Sequence, residues 1–251
     1  MPQINNFPIQ FSIPNIGFKG VQQTYTATPL FKSNDTYISN PLVRTQETRE
    51  DIEALARTNP RIMEILRQNN IPLRVNEKAL NELNSGHLLN TRILAAKIYS
   101  ALPDAQKSEV NLRDLQEAAM FHDYGKVLIP EKVLNKNDAL TDNEWEVMKL
   151  HSELGAELLK NKGLSRHSLE LIKYHHQRAD GSGYPALDER YEYGIDSQIL
   201  TAADKYTALT EKRAYKEPLS KDEALSMIAN DVGEGIISEE VYDALVRAIS
   251  T

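Results

Sequence analysis

The sequence predicts an all-α fold, on three observations. From Thr48 onward the apolar residues recur at three- and four-residue spacing, the period of a helix with one buried face. Helix-capping residues stand just ahead of these runs: Asn111, Ser165, and the boxes begun by Thr141 and Ser220. Breaker residues gather in one long loop, Gln177 to Asp196, around Asp180-Gly181-Ser182-Gly183-Tyr184-Pro185. The chain has 251 residues, 41% hydrophobic and 26% charged, long enough to bury its own core without a staple. It has no Cys, which excludes thiolate metal sites, redox pairs and disulfides.

Taken in order, residues 1–45 differ in texture from the remainder of the chain. Asn, Pro, Gly, Ser and Thr interrupt Phe7, Ile9, Phe11, Ile13, Ile16 and Phe18, and the alternation from Phe7 to Ile13 reads either as a strand-like strap or as disorder. This segment is expected to be extended or poorly structured: a strap, a dimer arm or a tail docking a signalling partner. Residues 46–85 read as helices leading into the core: Glu50 to Ala56, Pro60 to Gln68 with Pro at its first position, and Val75 to Asn84. The main domain, 86–251, opens on a helix from Gly86 to Ala101. A helix capped by Asn111 is expected to run through Tyr124, and one opened by Thr141-Asp142-Asn143-Glu144 to about Lys160. Ser165 caps a helix through His176. Further helices are expected near Ser197 to Leu209, Ser220 to Ala229 and Glu239 to Ile249.

Net charge is -7, which argues against binding duplex nucleic acid through a basic surface. No apolar run reaches membrane-spanning length and the N-terminus lacks a basic leader, so a cytoplasmic protein without membrane insertion is expected.

The histidines carry the chemistry. His87 belongs to the stripe Thr91, Leu94, Ile98, while His122 continues Leu112, Leu115, Ala119 with Asp123 beside it. His151 shares a face with Met148, Leu154 and Leu158; Ile172 lies with His175 and His176; Asp204 lies four residues from Leu200. A lone histidine on an apolar face is usually a hydrogen-bonded core residue. Five of the 6 histidines and two carboxylates all aimed inward are poorly explained that way, because buried carboxylates need a partner or a metal. Imidazole with carboxylate suits iron, manganese, zinc and similar divalent ions. His167, outside this pattern, reads as a surface residue, and Arg213 and Lys216, taken alone, as solvated charges.

The motifs as a set resemble the HD-GYP proteins of the HD phosphohydrolase superfamily, associated with cyclic di-GMP breakdown. The resemblance runs from about His87 to Leu245. It rests on His122-Asp123-Tyr124-Gly125-Lys126 with Ile129-Pro130, the stretch Leu140 to His151, His175-His176, the Gly-Tyr-Pro loop, and Ile199 to Leu209. It implies an HD-domain helical bundle with His87, His122, Asp123, His151, His175, His176 and Asp204 as metal ligands, Asp123 bridging. It further implies two divalent transition-metal ions, iron or manganese. Asp123 and Lys126 would serve catalysis, with Lys126, Gly183, Tyr184, Arg213 and Lys216 at the substrate. The reaction implied is hydrolysis of cyclic di-GMP to a linear dinucleotide or GMP by a hydroxide held between the metals. The alternatives are another HD-type phosphohydrolase, acting on a nucleotide or a different cyclic dinucleotide, and a non-catalytic binding module. Two departures stand out. Leu83 occupies the position where some members carry a third-metal glutamate, with Glu82 turned aside if the helix is continuous, which predicts two metals. Gln177-Arg178-Ala179 replaces a commoner glutamate and aromatic, on what is expected to be the base-binding side.

Overall fold

The computed structural model describes residues 47–83, 86–188, 191–212 and 217–250. They form helices α1 (Arg49–Thr58), α2 (Pro60–Gln68), α3 (Glu77–Glu82), α4 (Gly86–Ala101), α5 (Asp104–Lys107) and α6 (Leu112–Phe121). A 3-10 turn, Tyr124–Leu128, leads to α7 (Glu131–Leu134), α8 (Asp142–Leu159), α9 (Arg166–Tyr174), α10 (Ile195–Thr210), α11 (Lys221–Gly233) and α12 (Glu239–Ala248). Among the described residues there is no strand, only one isolated bridge between His176 and Tyr184. The all-α expectation therefore holds. The expected N-terminal strap or tail, 1–45, lies outside the described residues.

The caps explain most boundaries. Thr141 accepts from the Glu144 amide while Glu144 reaches back to the cap, and the same reciprocal pairing opens α1 and α11. Asn111 and Ser165 cap α6 and α9 through their side chains. The centre of the bundle is α4, which packs against α6, α10 and α12 and buries Leu88, Ile93, Leu94, Ala95 and Ile98. A pair of hydroxyls, Thr91 and Thr207, bonds across the α4–α10 contact at 2.8 Å. On the other side α8 packs against the 3-10 turn and α9.

The helix capped by Ser165 ends at Tyr174, short of the expected His176, which bridges to Tyr184. Two further expectations need correction. The helix capped by Asn111 stops at Phe121 rather than Tyr124, because Asp123 leaves helical geometry (φ -93, ψ 5) and the chain tightens into the 3-10 turn. Tertiary packing compels this. A Cβ on Gly125 would lie 1.9 Å from the His151 carbonyl oxygen and 2.4 Å from the Gly155 amide, so the turn presses directly on the backbone of α8. Second, the helix expected over Val75 to Asn84 is the shorter α3, ending at Glu82, with Leu83 as its C-cap. Leu83 and His87 thus belong to different helices, and helical spacing between them does not apply. Leu83 is 8% exposed in the core and Glu82 faces water.

Candidate metal centre

Five separate elements bring their imidazoles and carboxylates to one interior point. His87 comes from the first turn of α4, His122 and Asp123 from the end of α6, His151 from mid-α8, His175 and His176 from the end of α9, and Asp204 from α10. His122, His151 and His175 are buried. Among the described residues two groups could hold an ion: His151, His175 and His176, and His87, His122 and Asp123, the donor atoms in each lying within 4.8 Å of one another.

Asp123 stands between the groups. Its Oδ2 is 3.5 Å from His122 Nε2 and its Oδ1 is 3.6 Å from His151 Nε2. Asp204 Oδ1 lies 3.2 Å from His87 Nε2 and 3.4 Å from His122 Nε2. Two donors at ordinary coordination distance from one ion are roughly 3.0–3.4 Å apart, so the Asp204 spacings match an edge of a coordination polyhedron and the Asp123 spacings are slightly longer.

The backbone fixes which nitrogen faces inward. His122 Nδ1 donates to Ala119 O at 3.0 Å, His151 Nδ1 to Met148 O at 2.7 Å, and His175 Nδ1 to Ile172 O at 2.7 Å. Each imidazole thereby spends its proton on a carbonyl three residues earlier and turns the Nε2 lone pair to the centre. Protein atoms alone leave that arrangement unsatisfied. The Nε2 atoms of His151 and His175 face each other at 3.3 Å, lone pair against lone pair, and buried His122 Nε2 has no hydrogen-bond partner. A cation between these nitrogens resolves both conflicts, so the residues fit a bound metal.

The electrostatics divide the centre in the same way. Burial drives the group of His151, His175 and His176 toward neutral imidazole: His151 is lowered to about 3, His176 to about 4, and His175 well below its usual range. Burial also opposes charge on His122, but Asp123 and Asp204 outweigh it and raise the ring to about 10. Burial would raise both carboxylates; Lys126 and His122 hold Asp123 well below the usual range, and His122 and His87 do so for Asp204. The two carboxylates thus favour positive charge at the centre beside them.

Lys126, one turn after Asp123, places Nζ 2.6 Å from Asp123 Oδ2 and keeps 30% of its side chain exposed. The Tyr184 ring lies over His176 with centroids 4.7 Å apart. A Cβ on Gly183 would meet the His176 carbonyl oxygen at 2.3 Å, so that glycine lets the loop close onto the paired histidines. Arg213 and Lys216 lie outside the described residues.

Three residues hold roles that sequence reasoning did not give them. Glu211, at the end of α10, accepts from His87 Nδ1 at 2.9 Å and from Asn90 Nδ2 at 2.8 Å, and so aims His87 Nε2 inward. Its spacing of seven from Asp204 put it on the same helix face, which was the available signal. Gln177, expected toward the base side, is instead 1% exposed and staples the loop. Its Oε1 accepts from Gly183 N at 2.7 Å and its Nε2 donates to Pro185 O at 2.8 Å. His167, expected at the surface, is half-buried and hydrogen-bonded to the buried carboxylate of Asp196.

Known proteins resemble this chain in sequence. A cyclic di-GMP phosphodiesterase from Thermotoga maritima is 37% identical over 142 residues, 56% of this chain and 38% of that protein. A cyclic di-GMP phosphodiesterase response regulator from Xanthomonas campestris is 37% identical over 143 residues, covering 56% and 37%. A 3'3'-cGAMP-specific phosphodiesterase from Vibrio cholerae is 28% identical over 182 residues, covering 67% and 42%. The chain therefore spans less than half the length of these relatives. Residues 61–239, more than half of the sequence, match the HD domain family. On that match the protein belongs to the HD domain family, and its likeness to cyclic di-GMP phosphodiesterases at 37% identity supports its assignment to the HD-GYP group.

Proposed function

We propose that the chain is a metal-dependent phosphodiesterase that opens cyclic di-GMP, giving a linear dinucleotide or GMP. The observation that carries the reading is Asp123, whose two oxygens face two separate imidazole groups at 3.5 and 3.6 Å. That is the placement of a carboxylate shared by two ions, here read as iron or manganese. His122 and Asp204, with His87, would hold one ion; His151, His175 and His176 would hold the other. Bound divalent ions supply Lewis acidity to a phosphoryl oxygen and acidify water.

The protein's own groups complete the task. Lys126 sits beside Asp123 yet keeps contact with solvent, so its ammonium can turn to a non-bridging phosphate oxygen when substrate enters. Tyr184 lies between His176 and the loop surface, where a nucleotide would rest. Arg213 and Lys216 are assigned to the second phosphate, a positioning role. The names of the relatives support a cyclic dinucleotide as substrate. The cytoplasm, where such a nucleotide would be met, is the location this reading proposes. No helix among the described residues is long and apolar enough to cross a membrane.

A second reading, hydrolysis of 3'3'-cGAMP, is favoured by the match to the Vibrio cholerae enzyme over 67% of this chain. Anaerobically purified protein loaded with iron or manganese should hydrolyse cyclic di-GMP faster than 3'3'-cGAMP or cyclic di-AMP. Turnover of 3'3'-cGAMP alone would move the assignment to the second reading, and turnover of none would refute both. Asp123→Ala should lose metal and activity together while keeping its helical circular dichroism.

A further inference from the structure

Trp145 is the single tryptophan of the chain, and it is 47% exposed on the first turn of α8. Single exposed apolar side chains are common, and what sets this one apart is its place beside the candidate active site, where an aromatic ring offers a face to a ligand. Its ring stands edge-on to Tyr184, centroids 6.1 Å apart at 80°. Tyr184 in turn lies over His176, so an aromatic path leads from the metal donors out to the indole. Lys149, four residues on and therefore on the same face of α8, holds its Nζ 6.0 Å from the Tyr184 ring centre. That ammonium contacts Glu146 on the surface at 2.5 Å and leaves other protons free to donate.

We propose that Trp145 and Lys149 form a purine subsite at the mouth of the metal centre, with preference for guanine. The proposal rests on the phosphodiesterase reading. A nucleotide whose phosphate reaches His176 carries its base past Tyr184, one ring short of the indole. Stacking on an indole is tolerant of base identity, but a purine presents the larger face. Lys149 adds the discrimination. Guanine offers two adjacent acceptors, O6 and N7, on the edge an ammonium can reach, whereas adenine pairs one acceptor with an amino donor.

The lone tryptophan makes the subsite directly observable. With metal-loaded protein, GMP should quench Trp145 fluorescence saturably, AMP should bind more weakly, and CMP weakest. Trp145→Ala should raise KM for cyclic di-GMP about 5- to 150-fold with kcat within about threefold, the range expected for one lost stack. Trp145→Tyr should recover most of that loss, and Lys149→Ala should cut the GMP-over-AMP preference about tenfold. The Trp145→Ala loss on cyclic di-GMP should also exceed its loss on bis(p-nitrophenyl) phosphate, which has no base. Equal losses on the two substrates, or a KM within about twofold of wild type, would overturn the subsite. A changed oligomeric state with unchanged KM would likewise overturn it, marking Trp145 as a contact between chains. Wild-type protein that binds GMP with quenching but cleaves neither phosphodiester would instead refute the catalytic reading alone.

Discussion

Four of the five inward histidines are oriented by an atom that faces away from the candidate metal centre. For His122, His151 and His175 that atom is a carbonyl of the same helix, supplied by helical geometry wherever a histidine stands three residues further on. His87 has no such carbonyl partner, and Glu211 takes the role from the far end of α10, itself held by Asn90. A carboxylate there does more than a carbonyl: it fixes the tautomer and makes the imidazole a better donor. The candidate ligands were legible in the sequence because each lies on or beside an apolar stripe, where an ionisable group is conspicuous. Glu211 was not, because the cap of a helix is an ordinary place for a carboxylate and its partner lies 124 residues away. Glu211→Gln keeps the shape and a possible acceptor but removes the charge. Its dissociation constant for manganese, measured by competition with a chelator, should rise about 10- to 100-fold. An unchanged constant would reduce Glu211 to a structural contact of α10 with α4.

At the scale of elements, the decisive contact is backbone on backbone. The 3-10 turn after Asp123 lies so close to α8 that Gly125 and Gly155 meet without side chains between them. This contact sets the distance between Asp123 on one element and His151 on the other, and with it the spacing of the two ligand groups. Helix starts were readable because a cap is a local device: Thr141, Ser165 and Ser220 stand where their helices begin. The end of α6 was not readable. Leu112 to Tyr124 is acceptable helix by pattern, and only the approach of α8 selects the tighter turn. The same limit applied to Gln177, whose polar character pointed outward until the loop folded over it. Gly125→Ala should therefore destabilise the protein by about 3 kcal/mol in urea denaturation, since neither backbone can yield cheaply. Metal content should fall with it. A loss below about 1 kcal/mol would mean that the turn can move off α8 without consequence.

At the scale of the molecule, a chain of net charge -7 gathers five of its 6 imidazoles at one interior point of a helical bundle. The candidate ligands come from α4, the end of α6, α8, the end of α9 and α10, spread from residue 87 to residue 204. No unfolded chain presents that set, so metal binds the native state and contributes to its stability by linkage. At a free metal concentration about 100 times the dissociation constant the contribution is about 2.7 kcal/mol. For a domain of this size that corresponds to a rise in Tm of roughly 5–10 °C. The apolar core is continuous through α4, α6, α10 and α12 and does not depend on the ion, so stripped protein should remain folded. Thermal unfolding followed by circular dichroism should thus show one cooperative transition in both states, lower after chelation and restored by manganese. Asp123→Ala should melt near the chelated wild type and respond to neither treatment. Chelated and loaded wild type melting together would show that these five elements converge without an ion binding among them.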